Sequence, residues 1–354
     1  MKIGICFGEY CPLHQGHLDV IMKAKKQCDI TYVFVCGYDN DRGGEILPLK
    51  KRYNIIRNFL KDDTVYVRMI NDTELGIDES QSDSNWDIWL NEVFRQISND
   101  GYEYNNCQFY VAEKEYVDAI KRHGYGDSVY LDRNKNPVSG TLCREQPLKY
   151  WNKITQPFRS YYSHNILIAG TASEGKTTLV HDIGKYFNIP YSYEKGRDIC
   201  HNKTDDEFNF KDFVYNITAQ NDYNESLIAS PQNPGIFISD TDNMVTLMYA
   251  MAYKDREGFS ITPGEYDCLE NLAWQFRKTI KWDKIFLLKP HEKDIVDDGE
   301  RYMADSDYSI RLGFYQNLKN LYTKFGYTFE EINGDYEHNY ETVKNYIKSI
   351  LEDN

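Results

Sequence analysis

Long apolar runs are missing from this sequence. No stretch approaches the ~18 consecutive apolar residues of a membrane-spanning helix, so no membrane partner is expected. Closely paired cysteines are missing as well. The eight cysteines, Cys6, Cys11, Cys28, Cys36, Cys107, Cys143, Cys200 and Cys268, are scattered, and none forms C-x-x-C. That excludes a zinc knuckle and a redox dithiol, and so many separate thiols suit a reducing cytoplasm. Positive charge is scarce: 41 Lys and Arg face 55 Asp and Glu, for a net charge of −14. Broad electrostatic binding to nucleic acid or to an anionic membrane is therefore not expected. No leader peptide is indicated, because Met1 to Phe7 leads straight into a strand pattern. The expectation is a cytoplasmic protein whose partners are small molecules. Its oligomeric state, a homo-oligomer included, is left open.

With 354 residues, 41% of them hydrophobic, and a mean hydropathy of −0.66, the chain can build two domains with real cores. The sharpest chemical signal is Gly170-Thr171-Ala172-Ser173-Glu174-Gly175-Lys176-Thr177-Thr178, which fits the phosphate-binding loop G-x-x-x-x-G-K-[ST]. Chance supplies those four fixed positions in roughly one chain in a hundred of this length. The flanks argue further against chance. Asn165 to Ala169 reads as a buried strand and Thr178 to Phe187 as a helix. The glycines let successive N–H groups point into one concavity at a helix N-terminus. Lys176 can then reach the β- and γ-phosphates of a nucleotide, and the Thr177 hydroxyl can ligate Mg²⁺.

Before that loop the pattern alternates. Strands are expected at Lys2 to Phe7, Ile30 to Cys36, Val65 to Ile70, Phe109 to Ala112 and Val129 to Leu131. Helices are expected at Gly16 to Cys28, after Pro48, and at Asp83 to Ser98. After the loop, strands are expected at Ile189 to Glu194, Gly235 to Asp240, Trp282 to Leu288 and Tyr327 to Ile332, and helices at Ser309 to Phe325 and Glu337 to Leu351. Alternation of this kind implies parallel, doubly wound α/β sheets. Two sites stand at expected strand ends, where such sheets bind ligands. His14-Gln15-Gly16-His17 follows the first strand; its histidines can steady charge on a leaving pyrophosphate, or they can be an ordinary cap and a surface side chain. Asp240-Thr241-Asp242 ends a strand near the phosphate loop. There one carboxylate can ligate Mg²⁺ or accept a proton, and Asp242 can equally be a helix cap. Asp240 is the favoured base, with Asp242 a magnesium ligand or a cap.

The first motif reaches further than its two histidines. Gly8-x-Tyr10-x-Pro12-x-His14-x-Gly16-His17 resembles the nucleotidyltransferase signature G-x-F-x-P-x-H-x-G-H, with Tyr10 in place of Phe. Ser139-Gly140-Thr141-Leu142-Cys143-Arg144 is similar to that superfamily's second signature, S-[ST]-T-x-I-R, with Gly140 and Cys143 as departures. The resemblance implies that Gly8, Tyr10, His14, Gly16, His17, Ser139, Thr141 and Arg144 hold ATP, with His14, His17 and Arg144 catalytic.

A transferase of this kind followed by a phosphate-loop kinase resembles the bacterial NadR-type family, which couples nicotinamide-nucleotide adenylyltransferase to ribosylnicotinamide kinase. Glu194-x-Gly196-Arg197-Asp198 is similar to its E-Y-G-R-E segment, Ser239-Asp240-Thr241-Asp242 to its I-D-T-D, and Val296-Asp297-Asp298-Gly299-x-Arg301 to its V-D-D-G-x-R lid. The implied fold is two doubly wound parallel-sheet α/β domains, a Rossmann-like nucleotidyltransferase at 1–156 and a P-loop kinase at 163–354. The resemblance implies that the kinase binds ATP through Gly170, Ser173, Glu174, Gly175, Lys176, Thr177, Thr178, Arg301 and Arg311, with Lys176 and Asp240 catalytic. Glu194, Arg197, Asp198, Asp240 and Asp242 would bind the nucleoside, Thr177 and Asp242 would hold Mg²⁺, and Trp86 could stack on nicotinamide or pack in the core. Substrates would be nicotinamide riboside, nicotinamide mononucleotide and ATP. Family members with a DNA-binding helix-turn-helix differ, since this sequence starts at its first strand. Two alternatives remain, a bifunctional coenzyme A synthase and a nucleotide sensor without DNA binding.

Overall fold

The central parallel strands are covered on both faces, and their sequences are correspondingly apolar at nearly every position. Ile3–Gly8 (β1) and Ile30–Gly37 (β2) are of this kind, and every residue of β2 is buried. The computed structural model describes the chain except residues 39–46, 78–81, 126–127, 133–136, 201–202, 204–206, 256–260, 293–306 and 353–354. The chain divides into two units, Met1–Tyr162 and Ser163–Asn354.

In the first unit, β1 and β2 are joined by Gln15–Gln27 (α1). The chain continues through Leu49–Phe59 (α2), Val65–Asn71 (β3), Ser82–Asn99 (α3), Cys107–Val111 (β4), Lys114–Arg122 (α4), Val129–Tyr130 (β5), Gly140–Glu145 (α5) and Gln156–Arg159 (α6). The strands form one parallel sheet in the order β3-β2-β1-β4-β5. The order reverses between β1 and β4, the point at which open α/β sheets hold ligands. Two buried clusters cover its faces. One lies under α1 and α2 around Ile21, Val33 and Phe158, the other under α3 around Phe34, Leu90 and Phe109.

In the second unit the order of elements is His164–Gly170 (β6), Lys176–Phe187 (α7), Tyr191–Ser192 (β7), Gly196–Cys200 (α8), Phe210–Ile228 (α9), Ile236–Ser239 (β8), Asn243–Asp255 (α10), Pro263–Phe276 (α11), Lys284–Leu288 (β9), Tyr308–Lys324 (α12), Glu330–Ile332 (β10) and Tyr336–Glu352 (α13). Its parallel sheet runs β10-β9-β6-β8-β7, which puts β6 and its phosphate loop in the centre.

Two differences from the sequence expectation have physical causes. The strand expected from Ile189 to Glu194 shrinks to Tyr191–Ser192. Pro190 has no N–H to donate and contributes only its carbonyl, which accepts from Ile238 N at 3.2 Å. Beyond Ser192 the backbone is taken up by a side chain of α9, described below. Helices α4, α6, α8, α9 and α11 are additional to the expected elements. In α9 the buried face includes Asn216, Gln220, Asn221 and Asn224, so the apolar periodicity that marks a helix is broken.

Candidate functional site

In the first unit the chain leaves β1 through Tyr10, a buried residue with φ of 50°. It then enters α1 at His14, whose ring is buried and stacked on His17 with centroids 3.6 Å apart. The His14 backbone N–H donates to His17 Nδ1 at 3.4 Å. With Nδ1 accepting, the ring proton of neutral His17 sits on Nε2. Gly16 makes room for this arrangement, since a Cβ there would stand 3.2 Å from the His14 ring and from Val138 Cγ1.

The second signature is folded against the same loop. Ser139 caps α5 by accepting from Leu142 N at 3.1 Å. Arg144 donates from Nη1 to the Cys11 carbonyl at 2.5 Å and from Nη2 to Thr141 Oγ1 at 3.2 Å. The departure at Gly140 has a steric reason. A Cβ there would lie 3.0 Å from the Cys11 carbonyl oxygen and 3.1 Å from Arg144 Nη1, a tight fit that a side chain could take only with a small shift of its neighbours. The structure thus brings His14, His17, Ser139, Thr141 and Arg144 to one end of β1. Gly8 lies against the Tyr10 ring, 3.2 Å from where its Cβ would be.

A brace on this loop is absent from the sequence reading. Thr155 donates its backbone N–H (3.1 Å) and its hydroxyl (2.9 Å) to the Leu13 carbonyl, and Gln15 Nε2 donates to the Asn152 carbonyl at 2.8 Å. Trp86 sits in a ring cluster, 6.0 Å from Phe7, 5.9 Å from Trp89 and 5.6 Å from Tyr116, all edge-on. That is the packing role, beside the carboxyl end of β1.

In the second unit the loop after β6 has the backbone its motif requires. Ser173 (φ 68°) and Gly175 (φ 78°) are left-handed, and Gly170 lets the chain pass Leu288, whose carbonyl oxygen would lie 3.0 Å from a Cβ. Lys176 closes the loop by donating to the Thr171 carbonyl at 2.6 Å. Burial holds its ammonium below the usual lysine range, against the pull of Glu194, Asp240 and Glu174. Thr177 Oγ1 donates to Asp240 Oδ2 at 2.7 Å. Asp240 is buried, and its other oxygen, Oδ1, has no hydrogen-bond partner. Burial first, and then the Glu194 charge, push its carboxyl up to about 6. Lys176, Thr177, Glu194 and Asp240 therefore form one electrostatic cluster. Thr178, in the first turn of α7, is exposed.

Three expected site residues are occupied otherwise. Asp242 Oδ1 accepts from Met244 N (3.0 Å), Val245 N (3.3 Å) and the Tyr322 hydroxyl (2.9 Å). It is the cap of α10 tied to α12, the cap reading of the two. Arg311 and Glu174 are spent on each other. Arg311 Nη1 meets Glu174 Oε1 at 2.7 Å, with side chains 4% and 1% exposed. Arg311 Nη2 donates to the His291 carbonyl at 2.8 Å, and His291 N donates to Glu174 Oε2 at 3.1 Å. Both residues brace the phosphate loop from within, in place of the ATP contact expected of them. Arg301 and the lid motif from Val296 lie outside the described residues.

Around α8, Arg197 Nε stands 3.8 Å from Glu194 Oε2, and Asp198 Oδ2 accepts from Lys195 Nζ at 3.0 Å. Lys195 is held between two rings, 4.6 Å from the centroid of Tyr193 and 4.7 Å from that of Tyr223. Among the described residues no cluster of three or more His, Cys, Asp or Glu could hold a metal by itself, and no helix is long and apolar enough to cross a membrane.

Comparison with known proteins matches both units. Residues 5–146 fit the cytidylyltransferase-like family model and residues 165–339 fit an AAA domain model. The trifunctional NAD biosynthesis/regulator protein NadR of Escherichia coli (strain K12) is 24% identical over 269 residues, covering 72% of this chain. The chain spans 64% of the length of that curated relative. A crystal structure of NadR protein in complex with NR superposes with a TM-score of 0.83 at 31% identity, over 99% of this chain and 96% of that one. A second, in complex with NAD and AMP-PNP, gives 0.81 at 31% identity, over the same shares of the two chains. With a phosphate-loop unit and an H-x-G-H unit each built as above, and a likeness that runs the length of the chain, this protein belongs to the NadR family.

Proposed function

We propose that the chain is a bifunctional enzyme of NAD synthesis. The second unit phosphorylates nicotinamide riboside with ATP, and the first joins the resulting mononucleotide to a second ATP, giving NAD and pyrophosphate. The observation that carries this reading is the likeness, over nearly the whole chain, to NadR structures that hold NR in one case and NAD with AMP-PNP in the other. That likeness supports it over the coenzyme A synthase alternative.

In the kinase reaction the riboside 5′-oxygen attacks the γ-phosphorus, the bond to the bridging oxygen breaks, and ADP leaves. Thr177 and Asp240 suit Mg²⁺, since both offer hard oxygen ligands and Asp240 Oδ1 is buried without a partner. Bound there, Mg²⁺ would neutralise phosphate charge. Asp240 was expected to be the base. With Asp240 given to Mg²⁺, Glu194 would be the neighbouring carboxylate that takes the hydroxyl proton. Lys176 balances the charge of the transferring phosphoryl group. In the transferase reaction a phosphate oxygen of the mononucleotide attacks the α-phosphorus and pyrophosphate leaves. The substrate phosphate is itself the nucleophile, so His14, His17 and Arg144 act by positioning and by stabilising charge.

The test is incubation of the full chain with nicotinamide riboside, ATP and Mg²⁺, with products resolved by mass. Mononucleotide, NAD, ADP and pyrophosphate are expected from the wild type. Asp240→Asn should make no mononucleotide yet should make NAD when mononucleotide is supplied. A wild type that adenylylates phosphopantetheine and ignores the mononucleotide would sink the reading.

A further inference from the structure

Helix α9 buries amides where most helices bury apolar side chains. Asn216, Gln220 and Asn224 follow one another at four-residue spacing, so they line one face, and all three are buried. Gln220 has both ends of its amide engaged. Gln220 Oε1 accepts from Lys195 N at 2.8 Å, and its Nε2 donates to the Tyr193 carbonyl at 3.3 Å and to Asn224 Oδ1 at 3.0 Å. Gln220 thereby clamps the chain where it leaves the carboxyl end of β7.

Asn216 lies just over one turn, ~6 Å, closer to the amino end of α9. Because α9 leads back to the start of β8 in a parallel sheet, its amino end points to the side where the strands end and ligands bind. Asn216 is 9% exposed, and its Oδ1 has no hydrogen-bond partner. A buried amide oxygen in that condition is costly unless a ligand satisfies it. Its neighbours identify the surroundings. Asn216 Nδ2 and Glu194 Oε1 each stand 3.7 Å from where a Cβ on Gly196 would be. Glu194 in turn belongs to the charge cluster of Lys176 and Asp240.

We propose that Asn216 is a substrate-binding residue of the kinase site, its side-chain carbonyl accepting a hydrogen bond from a ribose hydroxyl of the nucleoside. This rests on reading the second unit as a nucleoside kinase. The sugar is the part of the substrate at this place, because its 5′-hydroxyl must reach the Glu194 and Lys176 side of the cluster, and Asn216 and Glu194 both lie against Gly196. A hydroxyl supplies the donor that Oδ1 needs. Glu194 is left to the 5′-oxygen, and Asn216 takes a 2′- or 3′-hydroxyl.

Steady-state kinetics of the full chain with nicotinamide riboside and its 2′-deoxy and 3′-deoxy forms tests this. Asn216→Ala should lower kcat/KM for the riboside roughly tenfold to a hundredfold, the effect of one buried hydrogen bond. For the deoxy form that lacks the contacted hydroxyl, wild type and Asn216→Ala should be alike. Asn216→Asp, which keeps the acceptor, should retain the discrimination. An unchanged KM for ATP in both variants reports an intact phosphate loop. Equal losses on the riboside and on both deoxy forms, or no loss on the riboside, would overturn the assignment. If the wild type phosphorylates another nucleoside in place of nicotinamide riboside, the functional reading falls. The same comparison on that nucleoside and its deoxy forms then decides Asn216 by the same two outcomes.

Discussion

Asp240 and Asp242 stand two positions apart in sequence and face different tasks. Asp240 turns to the phosphate loop and meets Thr177; Asp242 turns back into its own helix and meets two amides and Tyr322. Sequence shows an acidic pair at a strand end, and both members then look alike. Only the partner from α12, 80 residues away, separates them. Asp242→Ala removes a cap and leaves the buried Tyr322 hydroxyl unpaired, so it should destabilise the second unit by about 2 kcal/mol in denaturant titration. The Mg²⁺ concentration needed for kinase activity should not move. A raised Mg²⁺ requirement would return Asp242 to the metal. The histidines were legible for the opposite reason. His14, Gly16 and His17 act within one turn, and chemistry at short range leaves a fixed spacing in the sequence. On the proposed function, His17→Ala deletes a donor that would stabilise the leaving pyrophosphate. It should cut adenylylation by ~10²–10³ and leave riboside phosphorylation alone, measured in parallel assays.

Among elements, the phosphate loop is held by more than its own glycines. Arg311 of α12, Glu174 of the loop and the His291 backbone after β9 form a closed buried set. Arg311→Met leaves Glu174 charged and buried, which should cost about 3–5 kcal/mol. Glu174→Leu combined with Arg311→Met should regain much of that loss. Chemical denaturation of the single and double variants reads both quantities, and a mild effect of Arg311→Met alone would show the pair to be dispensable. Glu174 and Arg311 are 137 residues apart, and both could be read as ATP contacts because nothing local announces which charge a charge will choose. The central strands were easy to see, since a strand buried on both faces must be apolar throughout. Helix α9 escaped the same logic because its inner face is made of amides, and β7 was overdrawn because a proline stands at its entrance.

At the scale of the molecule, two sheets with separate cores carry separate motif sets. Lys176→Ala should therefore abolish phosphorylation of the riboside while adenylylation of supplied mononucleotide continues near the wild-type rate. A folded variant inactive in both assays would contradict the division of labour. The fold class was readable at this scale from alternation alone, while the brace of the first site was not. Thr155 fell in what the sequence offers as a stretch leading out of the first domain, yet it holds the Leu13 carbonyl from 142 positions away. That separation sets an order of events on the ribosome. The histidine loop emerges early, and its brace is among the last segments of the first unit to be translated. At ~5–20 residues per second, the loop waits roughly 7 to 30 s for Thr155 to arrive. The loop thus gains its brace only as the ribosome begins the second unit, and a nascent chain stalled before Thr155 carries both histidines without the segment that holds their loop in place.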